Sequence, residues 1–250
     1  RGAAGGLAVW DKQIALIARI SDGYPHEWLQ TLEERGFDIR GIHAAHDAPP
    51  FDQRSFIAYT EANERSSSSA VSHFARRHLV FPKSLLGYQP LDAARKGPHE
   101  SAPDSPIALD VPKDYRDIRY VHLCPFDFTS PSQMATLFKG GSNQTVSLDP
   151  APSYMKPALW RNLRLVLQGV TAFQPSEEEM RALFWGETND LWEMAHQICE
   201  YGVEIVVIKR GPLGQLVYDA LGKHRYEIPA YSARLADPTG VGDAFGGGFL

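Results

Sequence analysis

The sequence predicts an α/β fold: a three-layer α/β/α sandwich with a mostly parallel central sheet. Three observations predict it. Short apolar runs alternate with amphipathic stretches from residue 13 onward, the order that strand–helix–strand units produce. One run, GVEIVVIKRG (202–211), is nearly continuous in β-branched residues and reads as a strand covered on both faces. At 250 residues, with 43% hydrophobic and 22% charged residues, the chain can also bury an ample core.

The elements follow in order. QIALIARI (13–20) is a buried strand by its β-branched apolar content. PHEWLQTLEERG (25–36) begins on proline, sets Trp28, Leu29 and Leu32 on one face and stops at Gly36, as a helix does. FDIRGIH (37–43) returns as a strand, and RSFIAYT (54–60) alternates like a further, edge strand. From 63 to 115 the pattern dissolves into SSSS (66–69) and repeated prolines, which reads as an irregular insertion or long surface loop. ARRH (75–78) within it reads as a solvated basic face. Alternation resumes with the strand IRYVHLC (118–124), the helix SPSQMATLFKG (130–140) and the strand TVSLDP (145–150). LWRNLRLVLQ (159–168) is helical. PSEEEMRALFWG (175–186) carries proline, serine and acids in a first turn, where they satisfy free N–H groups and the helix dipole. NDLWEMAHQICEYG (189–202) is an amphipathic helix closed by glycine. LGQLVYD (213–219) and HRYEIPA (224–230) are short strands. Together these make one domain over 1–250 that reads as a piece cut from a longer chain at both ends.

The totals exclude several classes. A net charge of −5 argues against a nucleic-acid binder held by phosphate neutralisation. No apolar run approaches a bilayer span, and no signal-peptide segment opens the chain. Cys124 and Cys199 have no metal-ligand spacing and read as buried thiols of a reduced, cytoplasmic compartment. GxxxxGK[ST], HExxH and GxSxG are absent, and the nine histidines form no ligand cluster. GxGxxG nearly fits at Gly240 and Gly242, but Phe245 holds its third glycine position, so a nicotinamide-binding enzyme is a weak reading.

The chemistry concentrates in DPTGVGDAFGGGFL (237–250). If AFGGGFL opens a helix, GVGD feeds its N-terminus, where unpaired N–H groups and the helix dipole form a socket for an anion such as a phosphoryl group. Three consecutive glycines in a helix cost roughly 2–3 kcal/mol relative to alanine, which suits a place where something packs against backbone. An acid at an anion socket needs a reason. Two readings of Asp243 stand: a base that takes the proton of an attacking hydroxyl, or a helix cap.

DPTGVGDAFGGGFL resembles the D-T-x-G-A-G-D-x-F signature of the ribokinase-like (PfkB) carbohydrate kinases, with both aspartates, Thr239 and the G-x-G-D core in register. VEIVVIKRGPLGQLVYD resembles the family's nucleotide-contacting strand, glycine turn and strand, with Lys209 where threonine is common. PSEEE resembles P-N-x-x-E, with Ser176 in the asparagine position and Glu179 in the glutamate position. ARISDGYPHEWLQTLEERGFDIRGI is similar, more loosely, to the family's first βαβ segment, and RGAAGG is what remains of its glycine-rich sugar element. The resemblance spans most of the chain outside 63–115.

It implies a ribokinase-like fold with a small, incomplete β lid, and an ATP-dependent kinase acting on a hydroxymethyl group of a sugar or nucleoside. Asp243 would be the base, and the backbone of Gly240, Val241 and Gly242 the anion hole. Ser176, Lys209, Gly211 and Gly214 would line the nucleotide site. Glu179 would organise Mg2+ through water, and Asp237 and Thr239 would hold a monovalent cation such as K+. A homodimer is one arrangement open to it, and no residue identifies the acceptor. Simpler roles stay open: Glu179 as a helix-start acid, Lys209 as a solvated strand end, Gly211 and Gly214 as turn residues. Ser176 for asparagine and the eroded sugar element also leave room for a nucleotide-binding regulator that has lost catalysis.

Overall fold

A computed structural model describes residues 2–46, 48, 51–59, 65–66, 69–89, 101–139, 145–234 and 236–250. After a short first helix, α1 (Gly2–Leu7), the chain builds one parallel unit: β1 (Ala15–Ile20), α2 (His26–Glu34) and β2 (Asp38–Ala44). Ile17 lies opposite Gly41 and Ile20 opposite Ala44. Pro25 precedes the first turn of α2 in extended geometry, the position where its missing N–H costs nothing.

The segment 54–60 yields only β3 (Ala58–Tyr59), which pairs antiparallel with β4 (Arg65–Ser66) instead of joining the main sheet; Thr60 lies outside the described residues. Ser66 therefore belongs to a strand, and α3 (Ala70–Arg76) follows, with the 75–78 stretch exposed as expected. The irregular reading of 63–115 needs a larger correction at its end. Ala102, Asp110, Val111 and Tyr115 are buried, and Val111 and Tyr115 belong to the hydrophobic core. Prolines forbid a long helix or strand here, yet they do not stop apolar side chains from reaching the core. Asp110 is buried because Arg19 of β1 meets it at 2.7 Å, Nε to Oδ2.

The remaining elements alternate: β5 (Tyr120–Leu123), α4 (Ser130–Phe138), β6 (Thr145–Leu148), α5 (Trp160–Leu167), β7 (Ala172–Phe173), α6 (Glu177–Leu183), α7 (Leu191–Cys199), β8 (Ile205–Lys209), β9 (Gln215–Asp219), β10 (His224–Ile228) and α8 (Val241–Phe249). They form a six-stranded sheet in the order β10-β9-β8-β7-β6-β5. β5 to β8 are parallel, and β9 and β10 turn back antiparallel. The core lies where Leu148, Phe173, Val206 and Ile208 of the strands meet Phe138, Leu163, Met180 and Ile198 of the helices. β10 is exposed along its whole length, and His224, Arg225 and Glu227 put charge on that edge, which discourages pairing with another chain.

Candidate active site

Parallel strands end at one edge, so the residues that follow β5 to β8 are brought together there. Cys124 follows β5, Asp149 follows β6, Gln174 follows β7, and Lys209 ends β8. Lys209 Nζ donates to Asp149 Oδ1 at 2.7 Å, with side-chain exposures of 15% and 5%. Burial pushes the Asp149 carboxyl up to about 6, against the pull of Lys209; the charges of Glu179 and Asp243 add to the rise. His122 of β5 shares a 2.9 Å hydrogen bond with Ser147 Oγ through Nδ1. Burial, aided by the charge of Lys209, pulls its imidazole down to about 4. Cys124 is likewise pushed up to about 12 by burial, and by the negative charges of Asp243 and Asp149. It is a free, neutral thiol.

α8 lies over this edge. Gly240 enters it at φ +77°, a left-handed conformation that disfavours any residue with a Cβ. Asp243 is the third residue of the helix and is half-buried, and among the described residues its carboxylate makes no capping hydrogen bond at this terminus. The capping reading of Asp243 thus has no hydrogen bond behind it. Of the three amides expected to form the anion hole, Val241 N–H is already directed to the Pro238 carbonyl at 3.3 Å. Gly242 faces Lys209, whose Nζ stands 3.7 Å from where a Cβ would project.

The glycines of α8 have a packing reason. A methyl at Gly246 would come within 2.7 Å of His122 Nε2 and 3.3 Å of Gln174 Oε1; one at Gly247 would overlap the Ala3 carbonyl of α1. From the other side, a methyl at Gly6 would overlap the Ala244 carbonyl, and one at Gly2 would stand 2.7 Å from Asp243 Cβ. RGAAGG therefore packs on the helix that carries Asp243, with Arg1 itself outside the described residues. Trp10 closes the contact, its indole N–H donating to the Gly248 carbonyl at 2.9 Å.

Several expected site residues have structural duties. Ser176 and Glu179 form a reciprocal cap of α6: Ser176 N–H donates to Glu179 Oε2 at 2.7 Å, and Glu179 N–H to Ser176 Oγ at 3.2 Å. This is the helix-start role left open for Glu179. Gly211 and Gly214 both have positive φ in the turn between β8 and β9, and a Cβ at Gly214 would run into the chain at Ile228–Ala230. Asp237 Oδ1 accepts from Thr239 N–H at 2.8 Å in an exposed turn. Lys209 departs from expectation most: it is neither a solvated strand end nor directed outward, because its ammonium turns in to Asp149. The neighbouring Arg210 pairs with Glu177 and Glu227 instead.

Sequence reasoning missed Asp149, His122 and Gln174. Gln174 is fully buried, and neither its amide oxygen nor its nitrogen has a partner among the described residues; the same holds for His122 Nε2. The available signal was a polar residue at the carboxyl end of each apolar strand. No three acidic, histidine or cysteine side chains among the described residues converge to ligate a metal directly.

Residues 122–250, just over half of the chain, match the pfkB family carbohydrate kinase. The chain belongs to that family. Among curated relatives, the cytidine kinase of Thermococcus kodakarensis is 26% identical over 255 residues, covering 100% of this chain and 77% of the relative. Among solved structures, an E. coli protein described as a ribokinase II, in complex with ATP and Mg2+, superposes with a TM-score of 0.63 at 22% identity, covering 98% of this chain and 70% of that one. A Burkholderia thailandensis nucleoside kinase in complex with inosine gives a TM-score of 0.64 at 16% identity, covering 98% and 67%. The ribokinase-like fold is thereby established. PfkB members are phosphotransferases with alcohol acceptors, and this chain is one of them by family. No helix among the described residues is long and apolar enough to cross a membrane.

Proposed function

We propose that the protein is an ATP-dependent kinase that moves the γ-phosphoryl group onto a hydroxymethyl group of a sugar or nucleoside. The observation that carries this reading is the half-buried Asp243 in the first turn of a glycine-entered helix, above the carboxyl edge of a parallel sheet. In that role Asp243 accepts the proton of the attacking hydroxyl. The amides of Gly240 and Gly242, with the helix dipole, take the negative charge of the moving phosphoryl, and Val241 N–H contributes if its bond to Pro238 opens. The family relative named for cytidine and the neighbour with inosine support a nucleoside among the acceptors.

Magnesium enters the proposal with the nucleotide. It would be held through water by Glu179, whose carboxylate lies close enough to Asp149 to raise it electrostatically, and when bound it would offset phosphate charge. That fits the water-rich coordination Mg2+ keeps and the lack of a direct three-ligand cluster among the described residues. K+ at Asp237 and Thr239 is the same kind of proposal, resting on the matched motif alone.

The test is ATP consumption by the full chain across a panel of pentoses, hexoses and nucleosides, with Asp243→Asn alongside. The expected result is turnover on at least one acceptor, reduced about 100-fold or more in the variant with ATP affinity retained. Near-normal turnover of Asp243→Asn would remove the base assignment. A second reading, a nucleotide-binding protein without catalysis, is favoured by one observation: Ser176, in the asparagine position, has its hydroxyl engaged in capping α6. ATP binding with no acceptor phosphorylated in the panel would select it.

A further inference from the structure

We propose that Lys209 is a catalytic side chain of the phosphoryl site and that Asp149 is the residue positioning it. The assignment rests on the kinase reading above and moves Lys209 from the adenine side of the site, where the family resemblance put it, to the transferring phosphate.

Four observations converge on it. The root of Lys209 is fixed, because its N–H donates to the Pro175 carbonyl at 2.8 Å and it bridges in parallel to Ser176 at the start of α6. Its ammonium stays in, with 15% of the side chain exposed and one hydrogen bond, to Asp149 Oδ1. An ammonium has three donors, so two are left without a partner among the described residues. Those donors lie beside Gly242 in the first turn of α8, with Nζ 3.7 Å from where a Cβ on Gly242 would stand, so the ammonium borders the backbone expected to hold the phosphoryl group. Finally, Glu179 and Asp243 both act electrostatically on Asp149, the carboxylate that holds this lysine. Without Lys209 the charged side chains named at this place would all be carboxylates, and a phosphate would have only backbone amides to offset them.

A buried ion pair is a poor device for stability, since two well-packed apolar residues commonly do as well or better. A cation aimed at a site where charge develops is a good device for catalysis. In the proposed step the acceptor oxygen forms its bond to the γ-phosphorus as the bond from that phosphorus to the β,γ-bridging oxygen breaks. The hydroxyl proton goes to Asp243, and ADP leaves with the bridging electron pair. Lys209 keeps its proton throughout and donates to a γ-phosphoryl oxygen. Asp149 keeps the ammonium beside Gly242.

Calorimetric titration of the full chain with ADP and with the β,γ-imido analogue of ATP, each with Mg2+, tests this without knowledge of the acceptor. Lys209→Met should lose about tenfold or more of its affinity for the imido analogue while its affinity for ADP changes little. Lys209→Gln, which keeps a donor for Asp149, should behave the same way and decides the matter if Lys209→Met does not fold. Asp149→Asn should shift the analogue-to-ADP ratio in the same direction, a change that a purely structural role would not produce. Folded lysine variants that keep the wild-type ratio overturn the assignment while leaving the kinase reading intact. A wild-type chain that binds neither nucleotide overturns both.

Discussion

Replacing Lys209 with methionine should destabilise the protein in a way that depends on pH, and the size follows from Asp149. In the wild type burial holds this carboxyl at about 6 against an ordinary 3.8. Its folded pKa is raised, so ionisation opposes folding: stability is lost as pH rises from about 4 to 6, by about 3 kcal/mol in all at 1.36 kcal/mol per pH unit. Without Lys209 the buried acid escapes its charge by keeping a proton. Holding it neutral at pH 7 costs about 4 kcal/mol relative to an unfolded aspartate, and the wild type already bears about 3 kcal/mol of that. The variant therefore loses about 1 kcal/mol more at pH 7, about 3 kcal/mol more at pH 8 and close to nothing at pH 5. Lost packing of the lysine stem adds a constant that the differences between pH values remove. Urea unfolding followed by far-UV circular dichroism at the three pH values measures these differences. An equal loss at all three would refute the reasoning, for it would mean that Asp149 does not titrate in response to Lys209. The double variant Lys209→Met/Asp149→Asn should show no such pH dependence.

Other expectations concern different residues, although the charge of Lys209 also acts on the first of them. His122 is held down to about 4 from an ordinary 6.5, so its contribution is present above about 6.5 and lost as pH falls through 4. His122→Gln should gain about 3 kcal/mol on the wild type between pH 7 and pH 4, read from paired urea midpoints; parallel wild-type and variant curves would dismiss the shift. Gly247→Ala should recover about 1 kcal/mol of helix propensity but force α1 away from α8 at the Ala3 backbone. A net loss of about 1–2 kcal/mol is expected, and a raised melting temperature would contradict the close approach. Phe173→Ala, in the fully buried centre of the sheet, should cost about 3–5 kcal/mol, and a loss under about 1 kcal/mol by denaturant unfolding would argue against that burial.

Much of the fold was legible from local pattern. The β-branched run at 202–211 became β8, and the amphipathic stretch at 189–202 became α7. PSEEE became a capped helix start, because serine three residues before glutamate satisfies the first-turn amides through short-range bonds. GVGD was legible as a helix entry for the same reason, its glycine taking a left-handed turn that few other residues tolerate. Where a partner lies dozens of residues away, local pattern was silent. The stretch 63–115 reads as surface, yet Val111 and Tyr115 enter the core because β1 and β2 come to lie beside them.

The sequence by itself determined the strand–helix alternation, the helix starts and the identity of the terminal acid and its glycines, since each depends on neighbours within a turn or a strand. Only the tertiary structure decided that Lys209 faces Asp149 and Gly242, that α1 lies against the glycines of α8, and that Gln174 and His122 sit beneath them. Those contacts are set by strand order, which brings the ends of β5, β6, β7 and β8 to one edge and puts Lys209 against Asp149, 60 residues away in the chain. Periodicity within a segment carries no information about which strand will lie next to it.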